Sequence, residues 1–116
     1  MKLKEACEKL GIDYEKNLSR FAKNEDLYIR FLKKLLLDDN YINLKNSIDK
    51  KDYLKVENYA HTLKGLFANL GLDKLSIASS NLVQCVRNKQ YNDIQQYYDI
   101  LSSEYLYSES VIKNLE

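Results

Sequence analysis

The chain has one histidine, His61, and its neighbours are unusual for a helix surface. In the run Ala60-His61-Thr62-Leu63-Lys64-Gly65, a lysine follows the imidazole by three residues and a glycine by four. Residues three and four apart share a helix face, so ring, ammonium and absent side chain would lie together. Imidazole titrates at about pH 6.5 in water and is mostly neutral at neutral pH. An exposed ring nitrogen can therefore attack a phosphoryl group without a dedicated base. The N-phosphorylated product carries close to two negative charges, and an ammonium one turn away offers a mobile point charge that stabilises it. A glycine inside a helix costs about 0.5–1 kcal/mol against alanine, so something must compensate for Gly65. Close approach of another molecule would, because phosphoryl transfer requires in-line access to phosphorus.

The scarce residues exclude other chemistries. One histidine rules out multi-histidine metal sites, and three glycines (Gly11, Gly65, Gly71) cannot spell a dinucleotide fingerprint, a phosphate loop or a nucleophile elbow. Cys7 and Cys85 are too far apart for a CxxC motif and read as reduced core thiols. No metal site and no cofactor is expected in the chain. Eighteen Lys and Arg against seventeen Asp and Glu leave a formal charge of +1, so no global field attracts nucleic acid or an anionic membrane. No run approaches the roughly 20 apolar residues of a membrane span, and the opening MKLKEACEKLGID spreads charges where a signal peptide is apolar. A cytoplasmic protein is expected.

The elements that must position these residues are helices. A length of 116 residues with 45% hydrophobic content suits one domain over 1–116. The absence of proline predicts helices joined by short polar turns. Within segment 1–23, Leu3 to Leu10 form a short helical piece closed by Gly11, and Asp13 caps another carrying Tyr14, Leu18 and Phe21. Asn24 caps a helix with Leu27, Phe31 and Leu35 on one face, which we read as one rod over about 25–50 running through Asp38-Asp39-Asn40. Asp52 caps a helix over about 52–70 whose stripe is Val56, Ala60, Leu63, Phe67 and Leu70, with Gly71 as its C-terminal stop. Asp73 caps the next, about 74–88, with Leu75, Ala78, Leu82 and Cys85 inward, and the last covers about 92–114 with Ile94, Tyr98, Leu101, Tyr105, Ile112 and Leu115. The fold class is all-α, an antiparallel up-down four-helix bundle with short N-terminal helical segments. Several of the ten tyrosines lie on these stripes and read as core packing with the hydroxyl reaching solvent.

At about 100° per residue, with Leu63 as zero, the stripe falls between about −20° and +60° and His61 at about 160°, on the outward face. Lys64, Gly65 and Ala68 share that face, with Glu57 and Asn58 a turn earlier and Leu54, an exposed apolar residue, two turns before the histidine. The histidine thus has a cation beside it and two nearly absent side chains below it.

The stretch AHTLKGLFANLGL, Ala60 to Leu72, closely resembles the core motif of the histidine-containing phosphotransfer (HPt) domain family, HxxKG within AHxLKGxxxxxG. The similarity extends to LGID at Leu10 to Asp13, to the LYxxFL stretch from Leu27, to Asp52 and to Leu75, so nearly the whole chain is covered. The resemblance implies a four-helix bundle with one phosphorylatable histidine that exchanges phosphate with an aspartate of response-regulator receiver domains. It implies that His61 is the phosphoacceptor, Lys64 the phosphate-stabilising lysine and Gly65 the residue that clears space, with Ala68 at a position that is usually small. Such a domain is a covalent carrier rather than an enzyme, and Mg²⁺ belongs to the receiver's acidic pocket. Receiver domains and a hybrid histidine kinase are the partners implied, with Leu54, Glu57, Asn58, Ala68 and Arg87 as candidate contacts and a monomer expected. Many members carry a Leu-Glu pair on the following helix; here it is Leu82-Val83, without the acid, leaving Arg87 or Gln84 as candidates to hydrogen-bond the phosphorylated ring. The initiator Met1 with no tail or linker favours a free-standing carrier over the phosphoacceptor module of a larger histidine kinase. A bundle that only binds a partner, with its histidine idle, is the remaining alternative.

Overall fold

Three helix starts fall where short polar side chains satisfy free backbone N–H groups. Asp13 accepts from the Lys16 N–H at 3.1 Å, Asn24 from the Leu27 N–H at 3.1 Å and Asp52 from the Lys55 N–H at 3.3 Å. The computed structural model describes residues 1–116 as seven α-helices and one 3₁₀ turn. They are α1 (Leu3–Leu10), α2 (Tyr14–Arg20), α3 (Glu25–Leu35), α4 (Asn40–Asp49), α5 (Tyr53–Asn69), α6 (Asp73–Arg87) and, after the 3₁₀ turn Tyr91–Asp93, α7 (Ile94–Lys113). α5 packs on α4 and α6, α6 on α7, and α1 covers α7, giving an all-helical bundle of 41 × 21 × 19 Å. No helix is long and apolar enough to cross a membrane.

The rod expected over 25–50 is broken. Leu36, Leu37 and Asp38 donate their N–H groups to the carbonyls three residues back, tightening the chain, and Asp38 then accepts from both the backbone and the side-chain N–H of Asn40, at 2.8 and 2.7 Å. Such local bonding offers the backbone an alternative to continued helix, so α3 and α4 are separate. The inward face of α3 also differs from the expected Leu27-Phe31-Leu35: Tyr28, Leu32 and Leu35 are buried, and Phe31 is 42% exposed. Tyr28 wins because its hydroxyl donates to the Leu70 carbonyl at 2.5 Å while its ring stacks on Phe21 at 4.6 Å. Asp73 is not a cap either. The α5–α6 connection is so short that Leu72 both closes α5 and stands in the cap position of α6, leaving Asp73 as the first helical residue, where its charge suits the helix dipole.

The α5 stripe is buried as the spacing requires, against Leu75 and Leu82 of α6 and Leu101, Tyr105 and Ile112 of α7. Cys7 and Cys85 are free and buried in this core, and burial pushes the Cys7 thiol up to about 11.

Candidate functional site

α5 is held at both ends. Asp52 caps its start, and at its end Gly71, at φ 78°, allows the Gly71 N–H to reach the Ala68 carbonyl at 3.1 Å and the Leu72 N–H to reach the Phe67 carbonyl at 2.9 Å. A Cβ on Gly71 would also run into the buried Asn17 side chain. With its inner stripe in the core, α5 turns its other face outward: His61, Asn58 and Gly65 are exposed, Glu57, Lys64 and Ala68 half-buried, and Leu54 is 72% exposed. The expected projection of His61 away from the core therefore matches the structure.

Gly65 differs from Gly71 in kind. Its backbone is ordinary helix, and a Cβ built there meets nothing within 4 Å. Neither strain nor packing accounts for it; it leaves open space one turn from His61.

α6 lies alongside with a register set by two ties. The Ser76 hydroxyl donates to the Lys64 carbonyl at 3.0 Å, and Arg87 Nε contacts Glu57 Oε2 at 3.3 Å. Three residues back from Lys64 and four on from Ser76, His61 and Ser80 are at one level. Arg87 is thus brought to the residue one turn before the histidine. Val83 is 2% exposed in the core, so no group at that position reaches outward toward His61.

Two features had no sequence signal. Arg20 of α2 donates from Nη1 to the Ala68 carbonyl at 3.1 Å and to Asn17 Oδ1 at 3.2 Å, adding a guanidinium beside the cleared face. A groove of about 350 Å³ also lies between α3 and the last turns of α5, lined by Phe21, Phe31, Leu35, Leu66 and Leu70 with Lys34 at its edge. Leu66 is half-buried there, at about −60° with Leu63 as zero, the edge of the apolar stripe. No group of three or more His, Cys, Asp or Glu side chains gathers where a metal ion could be held.

An all-helical bundle that presents a lone histidine beside a lysine and a bare helix turn has the architecture of a phosphocarrier domain. Residues 32–109, more than half of the chain, match the family described as the Hpt domain, and the chain belongs to that family. No curated protein and no solved structure matches it. Membership brings histidine phosphotransfer in two-component signalling as the family's activity.

Proposed function

We propose that this chain is a phosphorelay carrier that takes a phosphoryl group on His61 and exchanges it with the aspartate of a response-regulator receiver domain. In the forward step a ring nitrogen of His61 attacks the aspartyl phosphate: a P–N bond forms, the P–O bond breaks, and the aspartate leaves as carboxylate. Most of the catalysis then belongs to the receiver and its Mg²⁺, so the chain acts as a carrier rather than an enzyme. The observation that carries this reading is the empty volume over Gly65, one turn from an exposed His61, since in-line attack needs room on the far side of the phosphorus.

The remaining roles follow from position. Lys64 supplies the nearest ammonium to the phosphoryl oxygens, and Ala68 extends the clearing. Arg20, on the Ala68 carbonyl, adds positive charge at one end of the face, which suits a receiver whose reacting pocket is acidic, while Arg87 at the other end is paired with Glu57. Leu54 and Asn58 at one end and the groove beside Leu66 at the other are the docking contacts. A hybrid histidine kinase is the source of phosphate in this reading, and the cytoplasm its place.

Incubation with a phosphorylated receiver, or with phosphoramidate, tests it. The wild type should acquire an acid-labile, alkali-stable phosphate, and His61→Gln should stay unlabelled with an unchanged circular dichroism spectrum. Undiminished labelling of the variant overturns the proposal, and an unlabelled wild type reduces the chain to an interaction module.

A further inference from the structure

The break between α3 and α4 has a second effect, on the far side of the bundle from His61. Residues 36–39 swing out over α7 and open a groove of about 620 Å³ between α4 and α7. Its floor is made by Tyr41 and Tyr105, stacked at 3.8 Å, with the Tyr41 hydroxyl bonded to Ser102 at 2.8 Å. The Tyr105 ring also meets Phe67, tilted at 6.3 Å, on the inner face of α5, so the core lies between this groove and the histidine.

Leu37, in the turn itself, is 81% exposed, and Ile42 and Leu106 on the two walls are each more than half exposed. A turn residue is ordinarily polar; here it is the most exposed large hydrophobic residue of the chain. Asp38, Asp39 and Glu109 line the same groove against one ammonium, Lys45. Glu109 also reaches Lys113 at 3.6 Å, a cation outside the lining. Carboxylates still outnumber the ammonium in the lining, and burial, with Glu109, Tyr41 and Asp38 adding to it, pushes the Tyr105 phenol up to about 12.

We infer that the α4–α7 groove is a second docking surface, which takes a cationic amphipathic helix of another protein. The α7 wall runs from Tyr98 to Glu109, about 16 Å at helical rise, which accommodates about three turns of a guest helix. An apolar stripe on that helix would cover Leu37, Ile42 and Leu106, and flanking Lys or Arg would meet Asp38, Asp39 and Glu109. Charge selects this occupant over two others. A second copy seated here by a two-fold axis would set the same carboxylates against each other, and a receiver's acidic pocket suits the cation-lined face of α5 instead. The inference does not rest on His61 chemistry, and both surfaces can be filled at once.

Fluorescence-anisotropy titrations with two probes test it: a helical peptide made only of leucine and lysine, and its counterpart made of leucine and glutamate. The leucine–lysine helix should bind the wild type and lose at least tenfold in affinity with Leu37→Ser/Ile42→Ser, whose changes are at exposed positions and should leave the melting temperature in place. Leu54→Ser and His61→Gln should bind as the wild type does, and Asp39→Asn should weaken binding and flatten its salt dependence. Equal binding by the double variant, equal binding of the leucine–glutamate helix, or no binding of either overturns the inference. So does sedimentation showing a wild-type dimer that Leu37→Ser/Ile42→Ser dissolves, because a second copy would then be the occupant.

Discussion

The outer face of α5 and the groove between α4 and α7 sit on opposite sides of one core and are opened by opposite means. On α5 the helix is intact and side chains are missing: Gly65 leaves open space flanked by the cations Lys64 and Arg20, with Arg87 held by Glu57. In the groove the side chains are present and the helix is missing: four residues of irregular backbone carry Leu37 outward between acids. A bundle can expose a reactive atom without disturbing its backbone, because a helix holds His61 rigidly in place. The concave apolar surface between α4 and α7 comes instead with an interrupted helix, where two continuous neighbouring helices would pack the space between them more fully.

The contrast can be broken by substitution. His61→Gln should remove all phosphoryl label while leaving binding of the leucine–lysine helix unchanged; loss of both would mean that the two faces are not independent. Gly65→Gln should slow phosphotransfer by about 10²-fold, the cost of a misplacement of about 1 Å, with a melting temperature no lower than the wild type. Gly65→Ala should gain somewhat under 1 kcal/mol, because the added methyl meets nothing within 4 Å. A destabilised Gly65 variant would show that the glycine serves packing. Gly71→Ala supplies the opposite case in the same connection: a positive φ and the Asn17 side chain should cost about 1–3 kcal/mol in urea denaturation, with the transfer rate of the folded fraction preserved.

Lys64→Ala should lower the transfer rate about tenfold, the worth of one charged hydrogen bond, and leave stability nearly in place, because Lys64 takes part in none of the ion pairs of the fold. A normal rate with a lowered melting temperature would make Lys64 structural. The smallest effect at neutral pH belongs to Tyr105 under the groove. Its folded-state phenol is raised from 10.0 to about 12, so the unfolded chain ionises first. The stabilisation is complete below about pH 10 and is lost as pH rises toward 12. Tyr28 and Tyr98 are raised in the same direction by burial. Urea midpoints measured from pH 9 to 12 should therefore fall, and fall less steeply in Tyr105→Phe.

How far the sequence carries such an account depends on the range of the interaction. Three of the four expected N-caps, Asp13, Asn24 and Asp52, were legible because the cap side chain and the N–H that donates to it are three residues apart, and the outward projection of His61 follows from helical geometry alone. What failed depended on partners far along the chain or on local competition. Leu27-Phe31-Leu35 and Tyr28-Leu32-Leu35 are both acceptable helical stripes, and the choice is made by a carbonyl 42 residues away. The Asp38–Asn40 bonds compete with the helix over two residues; each side of the break keeps its own helical spacing, and the phase shift between them, which puts Leu35 and Leu44 about half a turn apart at about 100° per residue, shows only when the two sides are projected together. The Arg87–Glu57 and Arg20–Ala68 contacts require the register of α5 against α6 and α2, which no spacing within one helix specifies.

The interruption at residues 36–39 also divides the molecule in time. α3 has 11 residues and α4 has 10, lengths at which an isolated helix is marginal in water, so each survives only on its tertiary contacts and neither transmits fraying to the other through a shared hydrogen-bond ladder. The layer α1–α3 can open while α4–α7 stay closed, and amide exchange should fall into two tiers with their boundary at Leu36 to Asp39. On that division the amides around Arg20 should exchange with the faster tier and those around His61 with the slower one, so local opening would carry the guanidinium away from the Ala68 carbonyl and leave the imidazole in place.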